Sequence, residues 1–513
     1  MRPQSTAAPD GSSLVTSPHP RTVVVLAAGE GKRMKSALPK VLHPLLGRTL
    51  LGHVLAAAEP LAAQRTLVVV GHGAERVAAH VAEIAPTADS VVQANQNGTG
   101  HAVRIALEAA SDAAGTVVVL NGDVPLLRGE TVAALVAAHE ASGGAATVLA
   151  AEVADPTGLG RIVRDARGAL ERIVEERDAT AEQRAIREIN AGVYAFDARL
   201  LRAALGKLST DNDQGEEYLT DVFGLLATDG RRVGVHVAPD ATETLGCNDR
   251  AELAALRRLL RDRVNMAWMR AGVTILDPAT TWIDVTATLE PDVVLDQNAQ
   301  LRGATAIAAG ATVGPDVTLI DTVVGAGASV VRAHAVGAEI GPEASVGPYA
   351  YLRPGSKLAR KAKVGTFVET KNADIGEGSK VPHLSYAGDV TIGEHTNIGA
   401  ASVFVNYDGE KKSHTVVGNY VRGGADNMFV APVEVGDGAY TAAGTVVRRD
   451  VPPGALAVSG GPQRIIPDWT ERKRPGTAPA EAARRARARE GEAFHAAEDA
   501  EQEGTTSGDT ASE

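Results

Sequence analysis

The stretch Ile340-Gly-Pro-Glu-Ala-Ser-Val346-Gly-Pro-Tyr-Ala-Tyr-Leu352-Arg-Pro-Gly-Ser-Lys-Leu358-Ala-Arg-Lys-Ala-Lys-Val364 carries an aliphatic side chain at every sixth position. The same step recurs between Ile307 and Val446, and a glycine usually follows the aliphatic residue, as in Val313-Gly314, Val324-Gly325, Ile375-Gly376, Ile398-Gly399 and Val435-Gly436. A period of six is neither helical nor a strand alternation. It fits a hexapeptide β-helix, in which each six-residue step makes one face of a triangular coil. On this reading the aliphatic residue points into a narrow core, and the glycine allows the tight corner that follows it.

Composition agrees with a thin solenoid core. The chain of 513 residues is 44% hydrophobic but only 3% aromatic, so its interiors are built from Ala, Val, Leu and Ile. A net charge of −12 argues against nucleic-acid or anionic-membrane binding. Cys247 is the sole cysteine, which excludes an intrachain disulfide and points to a reducing compartment. No apolar stretch approaches the ~18–20 residues of a membrane span, and residues 1–20 lack a hydrophobic signal core. The expected location is cytoplasmic.

The chain divides into segments by pattern. Residues 1–21 read as a disordered extension. Residues 22–250 alternate β-branched runs with Ala/Leu-rich stretches; Thr22–Leu26, Thr66–Val70 and Thr116–Leu120 are the clearest runs. Apolar strands separated by helices imply a Rossmann-like α/β domain with a parallel sheet covered on both faces. Its ligands are expected beyond the carboxyl ends of the strands. Residues 251–271 suit a linker helix, with Leu253, Leu256, Leu260 and Val264 on one side. Its Arg257, Arg258, Arg261 and Arg263 are either a phosphate patch or a solvated or interfacial face. Residues 272–475 are expected to form the β-helix segment, and 476–513 a disordered acidic tail with transient helical potential in part of 478–500.

The first strand opens into Leu26-Ala27-Ala28-Gly29-Glu-Gly-Lys-Arg33-Met34, followed by Pro39-Lys40. A glycine loop after a strand lets backbone N–H groups approach phosphate oxygens. Arg33 and Lys40 supply positive charge where phosphoryl transfer builds negative charge. The loop is neither GxxxxGK[ST] nor GxGxxG, and taken alone it reads equally as a tight turn. Asp123, in Asn121-Gly122-Asp123 after an apolar run, is either a turn residue or an exposed metal ligand.

LAAGEGKRM with PKVLH resembles the signature of nucleotidyltransferases that make sugar nucleotides. QNGTGHA (96–102), NGDVPL (121–126), GLGRIV (158–163), IVEERDA (173–179), EINAGVY (188–194) and GCNDR (246–250) resemble one group among them. These are the bacterial bifunctional N-acetylglucosamine-1-phosphate uridyltransferase/glucosamine-1-phosphate N-acetyltransferases. The resemblance covers about residues 22–470. It implies that Asp123 and Asn248 hold a magnesium ion (Mg2+), a cation that takes few protein ligands. It places Gln93, Gly98 and Thr99 on the uracil of UTP, and Gly160, Glu175 and Asn190 on N-acetylglucosamine. Asn121 stands where some relatives carry tyrosine.

The β-helix half is interrupted by Val381-Pro-His-Leu-Ser-Tyr-Ala-Gly-Asp389, with Arg353, Lys371 and Asn397 on neighbouring coils. Acetyl transfer to a protonated amine needs a general base of pKa near 7, the usual work of histidine. LRPGSKL, VGTFVETKNA, HLSYAGD, IGEHTNIGAA and NYDGEKK resemble the acetyltransferase half of the same family. The resemblance makes His383 the base and Arg353, Lys371, Tyr386 and Asn397 the residues on the acceptor sugar phosphate. It puts Ala400, Asn406, Tyr407, Ala425 and Ala443 on acetyl-CoA. Ala425 replaces an expected serine and Gly460 an arginine. The resemblance further implies a left-handed β-helix, a homotrimer with this site shared between subunits, and synthesis of UDP-N-acetylglucosamine for peptidoglycan and lipopolysaccharide precursors. The competing reading is a pyrophosphorylase whose β-helix only oligomerises it.

Overall fold

A computed structural model describes residues 19–461, 463 and 465–489. Within them the chain forms two compact units, divided between Ala457 and Val458. The first contains an α/β domain, a linker helix and a β-helix.

The α/β sheet runs in the order Val233–Val237, Ala146–Glu152, Glu188–Asp197, Thr116–Asn121, Arg21–Ala27, Arg65–Val70, Asp89–Val92. Arg21–Ala27 pairs in parallel with both Arg65–Val70 and Thr116–Asn121, so the three apolar runs lie side by side. Alternate residues face opposite sides. Val23 and Val25 pack with Val54 and Leu135, whereas Val24 packs with Val103, Leu107 and Phe223. Both faces are covered, so the runs read as continuous apolar segments.

The sheet is not wholly parallel, against the expectation. Glu188–Asp197 runs antiparallel to both of its neighbours. The chain leaves Ala146–Glu152 at its carboxyl end and forms the hairpin Arg161–Arg164/Leu170–Val174 there. It then re-enters the sheet from that same end, which forces the reversed direction.

The linker helix spans Arg250–Arg270, and Asp249 caps it by accepting from the N–H groups of Ala251 and Glu252. Leu253, Leu256 and Leu260 are buried with Met34, Leu45 and Leu126 of the α/β domain. Val264, Trp268 and Met269 pack against the β-helix core. Fully buried Asn265 donates to the carbonyls of Pro278 (2.9 Å) and Thr281 (3.0 Å). One helix thus grips the domain with its first turns and covers the open end of the solenoid with its last, the task a capping element performs.

The repeats form the left-handed parallel β-helix. Val294 pairs with Thr312, and Ser345 with Lys363, each 18 residues on, which is three steps of six per coil. Ile340, Val346, Leu352, Leu358 and Val364 are all buried in one column-like core. The last strand pairing joins Tyr440–Thr441 to Leu456–Ala457.

The glycines serve a different purpose from the one expected. Those following the aliphatic residues mostly have ordinary φ. At Gly365 a Cβ would sit 2.0 Å from the Pro382 carbonyl oxygen, and at Gly399 it would sit 2.1 Å from that of Gly424. Close stacking of successive coils excludes the side chain there. Left-handed corners fall mostly at other positions, on non-glycine residues such as Tyr349 (φ 57°), Phe367 (φ 56°) and Leu384 (φ 44°) and on glycines such as Gly327 (φ 65°) and Gly378 (φ 66°).

The second unit holds a short helix, Trp469–Lys473, and a helix over 478–489, where Arg487 pairs with Asp468 and Glu471. Residues 478–489 of the expected tail are helical, within the 478–500 stretch whose composition leaves room for transient helix. Residues 1–18, most of the expected N-terminal extension, and 490–513 lie outside the described residues.

Candidate functional sites

The glycine loop leaves the sheet at its carboxyl edge and is pinned from both sides. The Leu26 carbonyl accepts from Gly122 N (2.9 Å), and that of Ala28 accepts from Gln96 Nε2 (2.7 Å). Gly31 has φ +65°, and a Cβ there would meet the Lys40 Cβ at 2.6 Å. Lys40 therefore lies across the loop backbone, and its ammonium pairs with the Asp123 carboxylate.

Asn248 arrives from far along the chain. Cys247 N donates to the Asp123 carbonyl (3.0 Å), which sets the next residue beside Asp123. Asn248 Oδ1 accepts from Arg33 (2.8 Å), and its N–H donates to Glu252 (2.7 Å) in the first turn of the linker helix. Glu30, Lys32, Arg33, Lys40 and Asn248 line a cavity of about 240 Å³. Two oxygen donors, Asp123 and Asn248, face a cation-rich loop. That donor set fits magnesium, which keeps waters and substrate phosphates as its remaining ligands. Among the described residues no cluster of three or more His, Cys, Asp or Glu competes as a metal site. Cys247 is fully buried, and burial pushes its thiol up to about 11, so it stays neutral and is no nucleophile.

Gln93 follows the edge strand and is buried, with Nε2 donating to the Gly98 carbonyl (3.1 Å) and lying 3.0 Å from His101 Nδ1. Gly98 has φ +106°, and a Cβ there would lie 2.4 Å from the Glu217 carbonyl oxygen. Thr99 opens the next helix, and its hydroxyl accepts from Leu219 N (3.0 Å).

Glu175 and Asn190 converge on Gly160. A Cβ on Gly160 would lie 3.4 Å from both Glu175 Oε2 and Asn190 Cβ. Asn190 donates to Tyr194 Oη (2.8 Å) and accepts from Gly192 N (3.0 Å), which orients its amide. Burial raises the Glu175 carboxyl above the usual range, against a hydrogen bond from Thr220 (3.0 Å). Asn121 lies against Gly192, where any Cβ would be 2.1 Å from its amide nitrogen. That close packing links the Gly160–Glu175–Asn190 cluster to the Asn121-Gly-Asp123 turn. The expected residues of the first half thus gather along one edge of the sheet.

The second candidate site lies on the β-helix around one corner. His383 ends Lys380–His383 and is exposed, Leu384 turns the corner, and Tyr386 begins the next face. The Tyr386 ring crosses Gly388, where a Cβ would be 2.3 Å from the phenol oxygen. Lys371 is in register with Gly388, and Arg353 pairs with Glu369 (2.9 Å) on the neighbouring coil.

Asp389 organises this face. It is 9% exposed and accepts from Asn372 Nδ2 (2.9 Å) and Asn406 Nδ2, with Lys371 Nζ at 3.5 Å. Burial pushes its carboxyl up, but those hydrogen bonds and Lys371 outweigh burial and hold it below the usual range. Val390 pairs with Thr415, 25 residues on, so this coil carries an insertion. The extra residues form a loop closed by the Tyr407–Lys412 bridge. The ammonium of Lys371 beside Lys412 pushes the latter below its ordinary pKa, and Arg353 adds to the effect. Three cations therefore face one space, which suits an anion.

Ala400, Ala425 and Ala443 stack at His383's corner. Asp426 N donates to the Ala400 carbonyl (2.7 Å), Gly444 N to that of Ala425 (2.9 Å), and Ala401 N to that of His383 (3.2 Å). Asn397 is not brought to Arg353, Lys371 and Tyr386. It pairs with Lys380 and Arg422 at the far end of His383's face. Asp389 and Lys412 carry no role in the sequence reading. Both lie in quoted motifs; the signal of Asp389 is a charge between Gly388 and Val390 in a mostly apolar step, whereas Lys412 sits in the polar insertion and carries no such signal.

Comparison with known proteins agrees with this division. Residues 23–193 match the family described as MobA-like NTP transferase domain. The chain is 62% identical to Bifunctional protein GlmU of Streptomyces coelicolor over 466 residues, 90% of this chain and 97% of the relative. It is 60% identical to the protein of that name from Thermobifida fusca over 474 residues, covering 92% and 98% of the two chains. The Corynebacterium efficiens counterpart is 55% identical over 465 residues, covering 90% and 96%.

Proposed function

We propose a division of labour that proceeds from one established point: the chain belongs to the GlmU family of bifunctional uridyltransferase/acetyltransferases. It makes UDP-N-acetylglucosamine in two reactions, acetyl transfer to glucosamine-1-phosphate and uridyl transfer to the product. The assignment of residues to each is our reading.

In acetyl transfer the sugar amine attacks the thioester carbonyl of acetyl-CoA, His383 takes the amine proton, and the CoA thiolate leaves. Arg353, Lys371 and Lys412 hold the sugar phosphate, with Tyr386 and Asn397 on the sugar. Asn406, Tyr407 and the Ala400–Ala425–Ala443 corner receive the coenzyme. We read the active form as a homotrimer. Asn397 and Tyr386 stand on different faces of one coil, and exposed Tyr349 and Phe367 stack at 5.4 Å beside Leu384. An apolar ladder of that kind suits burial against a second copy, which would complete the site.

In uridyl transfer a phosphate oxygen of N-acetylglucosamine-1-phosphate attacks the α-phosphorus of UTP, and pyrophosphate leaves. The nucleophile is already ionised, so positioning and charge neutralisation carry the rate. The loop Leu26–Gly29 with Arg33 and Lys40 receives the phosphates, Gln93, Gly98 and Thr99 the uracil, and Gly160, Glu175 and Asn190 the sugar. Asp123 and Asn248 would hold Mg2+, which supplies charge neutralisation at the phosphates. The observation that carries this reading is the Cys247–Asp123 backbone bond, which sets Asn248 beside Asp123, Lys40 and Arg33. Among the described residues no helix is long and apolar enough to cross a membrane, and we place the enzyme in the cytoplasm, feeding cell-envelope precursor synthesis.

Two variants assayed for both reactions test the assignment. Asp123→Ala should abolish magnesium-dependent pyrophosphate release and spare CoA release. His383→Ala should do the reverse, and a near-normal rate in the targeted reaction of either variant overturns that residue's role.

A further inference from the structure

Among the described residues a cavity of about 1500 Å³ belongs to neither site. It lies between the strand pair Pro44–Leu45/Arg48–Thr49, the linker helix and the first coils of the β-helix. Leu55, Ile84 and Trp282 give it an apolar lining. Arg48, Arg257, Arg258 and Arg302 reach it from three separate elements.

Two of these guanidinium groups stand uncompensated. Among the described residues Arg48 and Arg258 have no side-chain hydrogen bond or ion pair. Arg257 donates only to the Pro44 carbonyl (3.1 Å) and Arg302 only to the Gln300 amide oxygen (2.5 Å). The lining carboxylates are Glu59 and Asp284; Asp284 accepts from Gly303 N at 2.9 Å and lies within electrostatic reach of Arg302 and Arg257, which leaves Arg48 and Arg258 as the uncompensated pair. A chain of net charge −12 has thus gathered four arginines around one cleft. Like charges held together cost free energy unless an anion offsets them, and a guanidinium is the side chain best matched to phosphate or carboxylate. The structure also splits the arginine run of the linker helix. Arg261 lies over Trp282 at 4.9 Å and Arg263 donates to the Leu126 carbonyl (2.7 Å), while Arg257 and Arg258 face the cleft.

We propose that this cleft binds a small organic anion, a phosphate or carboxylate carried on an apolar body. The apolar portion sits against Leu55, Ile84 and Trp282, and the acid group is shared between Arg48 and Arg258. The full chain, with UTP and acetyl-CoA present at saturation to fill the two substrate sites, is titrated with 1-naphthyl phosphate and with neutral 1-naphthol. The ester should bind at least tenfold more tightly than the alcohol. Arg48→Glu/Arg258→Glu should weaken the ester at least tenfold while leaving the alcohol and both enzymatic rates unchanged. If charge reversal impairs folding, Arg48→Gln/Arg258→Gln should still weaken the ester at least threefold. Equal binding of ester and alcohol overturns the proposal, as does unchanged ester binding in the variants.

Discussion

Asp389→Asn is the most informative single change to the acetyltransferase half. Its carboxylate is 9% exposed and holds Asn372 at 2.9 Å, Asn406, and Lys371 at 3.5 Å. The residue has φ +49°, a conformation asparagine adopts readily, so the backbone adds little to the effect. The amide removes the charge and turns one acceptor oxygen into a donor facing another donor. A hydrogen bond to a charged group contributes about 1.5–3 kcal/mol, and an unmatched buried donor costs about 1–3 kcal/mol. With one neutral bond surviving, the loss is roughly 2–3 kcal/mol. Lys371 and Asn406 lose their anchor together, so acetyl transfer should fall at least tenfold, with higher KM for both of its substrates, while uridyl transfer is unchanged.

The pH dependence has a definite sign. Because the folded carboxyl titrates below its unfolded value, the folded chain binds fewer protons. Its contribution is complete above the unfolded pKa and is lost as pH falls below about 5 and through the folded pKa. The stabilities of wild type and variant, measured by denaturant unfolding, should therefore converge in acid. Acetyl transfer within twofold of wild type refutes the positioning role. A parallel fall in uridyl transfer shows global damage instead.

Glu175→Gln should stabilise the chain by roughly 1 kcal/mol near pH 7 while raising KM for the sugar phosphate. Burial raises the Glu175 pKa, so its penalty appears only as pH rises through the carboxylate range, and an equal gain in acid contradicts this. Gly98→Ala adds a Cβ 2.4 Å from the Glu217 carbonyl oxygen at φ +106°, a strain of about 1–3 kcal/mol. Uridyl transfer should fall tenfold or more with acetyl transfer intact, and wild-type kinetics would show that the loop relaxes freely. Phe404→Ala empties a core position where Phe404 and Phe429 stack at 4.8 Å, and should lower β-helix stability by about 3–5 kcal/mol in denaturant unfolding. A change below about 1 kcal/mol would mean that the coil closes the cavity.

The β-helix was legible because its signal is local and periodic: a side chain that must enter the core every sixth residue leaves that period in the chain. The purpose of its glycines was not, because the atom excluding a Cβ at Gly365 belongs to Pro382, on the next coil. The three apolar runs announced a sheet with two covered faces. The reversal of Glu188–Asp197 did not show, since direction depends on the end from which a strand re-enters. The glycine loop and its cations stand together in sequence, whereas Asn248 is set beside Asp123 by the Cys247–Asp123 backbone bond, which no local pattern encodes.

By itself, then, the sequence determined the two architectures, their order and the side-chain chemistry available to each. Tertiary structure alone decided which charges meet. It put Asp389 under Asn372, Asn406 and Lys371, left Asn397 on another face, and divided one arginine run between an aromatic contact, a carbonyl contact and an open cleft. The physical reason is range. Periodic burial acts between neighbours along the chain, whereas electrostatic and hydrogen-bond partners are set by coil stacking and domain packing across many residues of sequence.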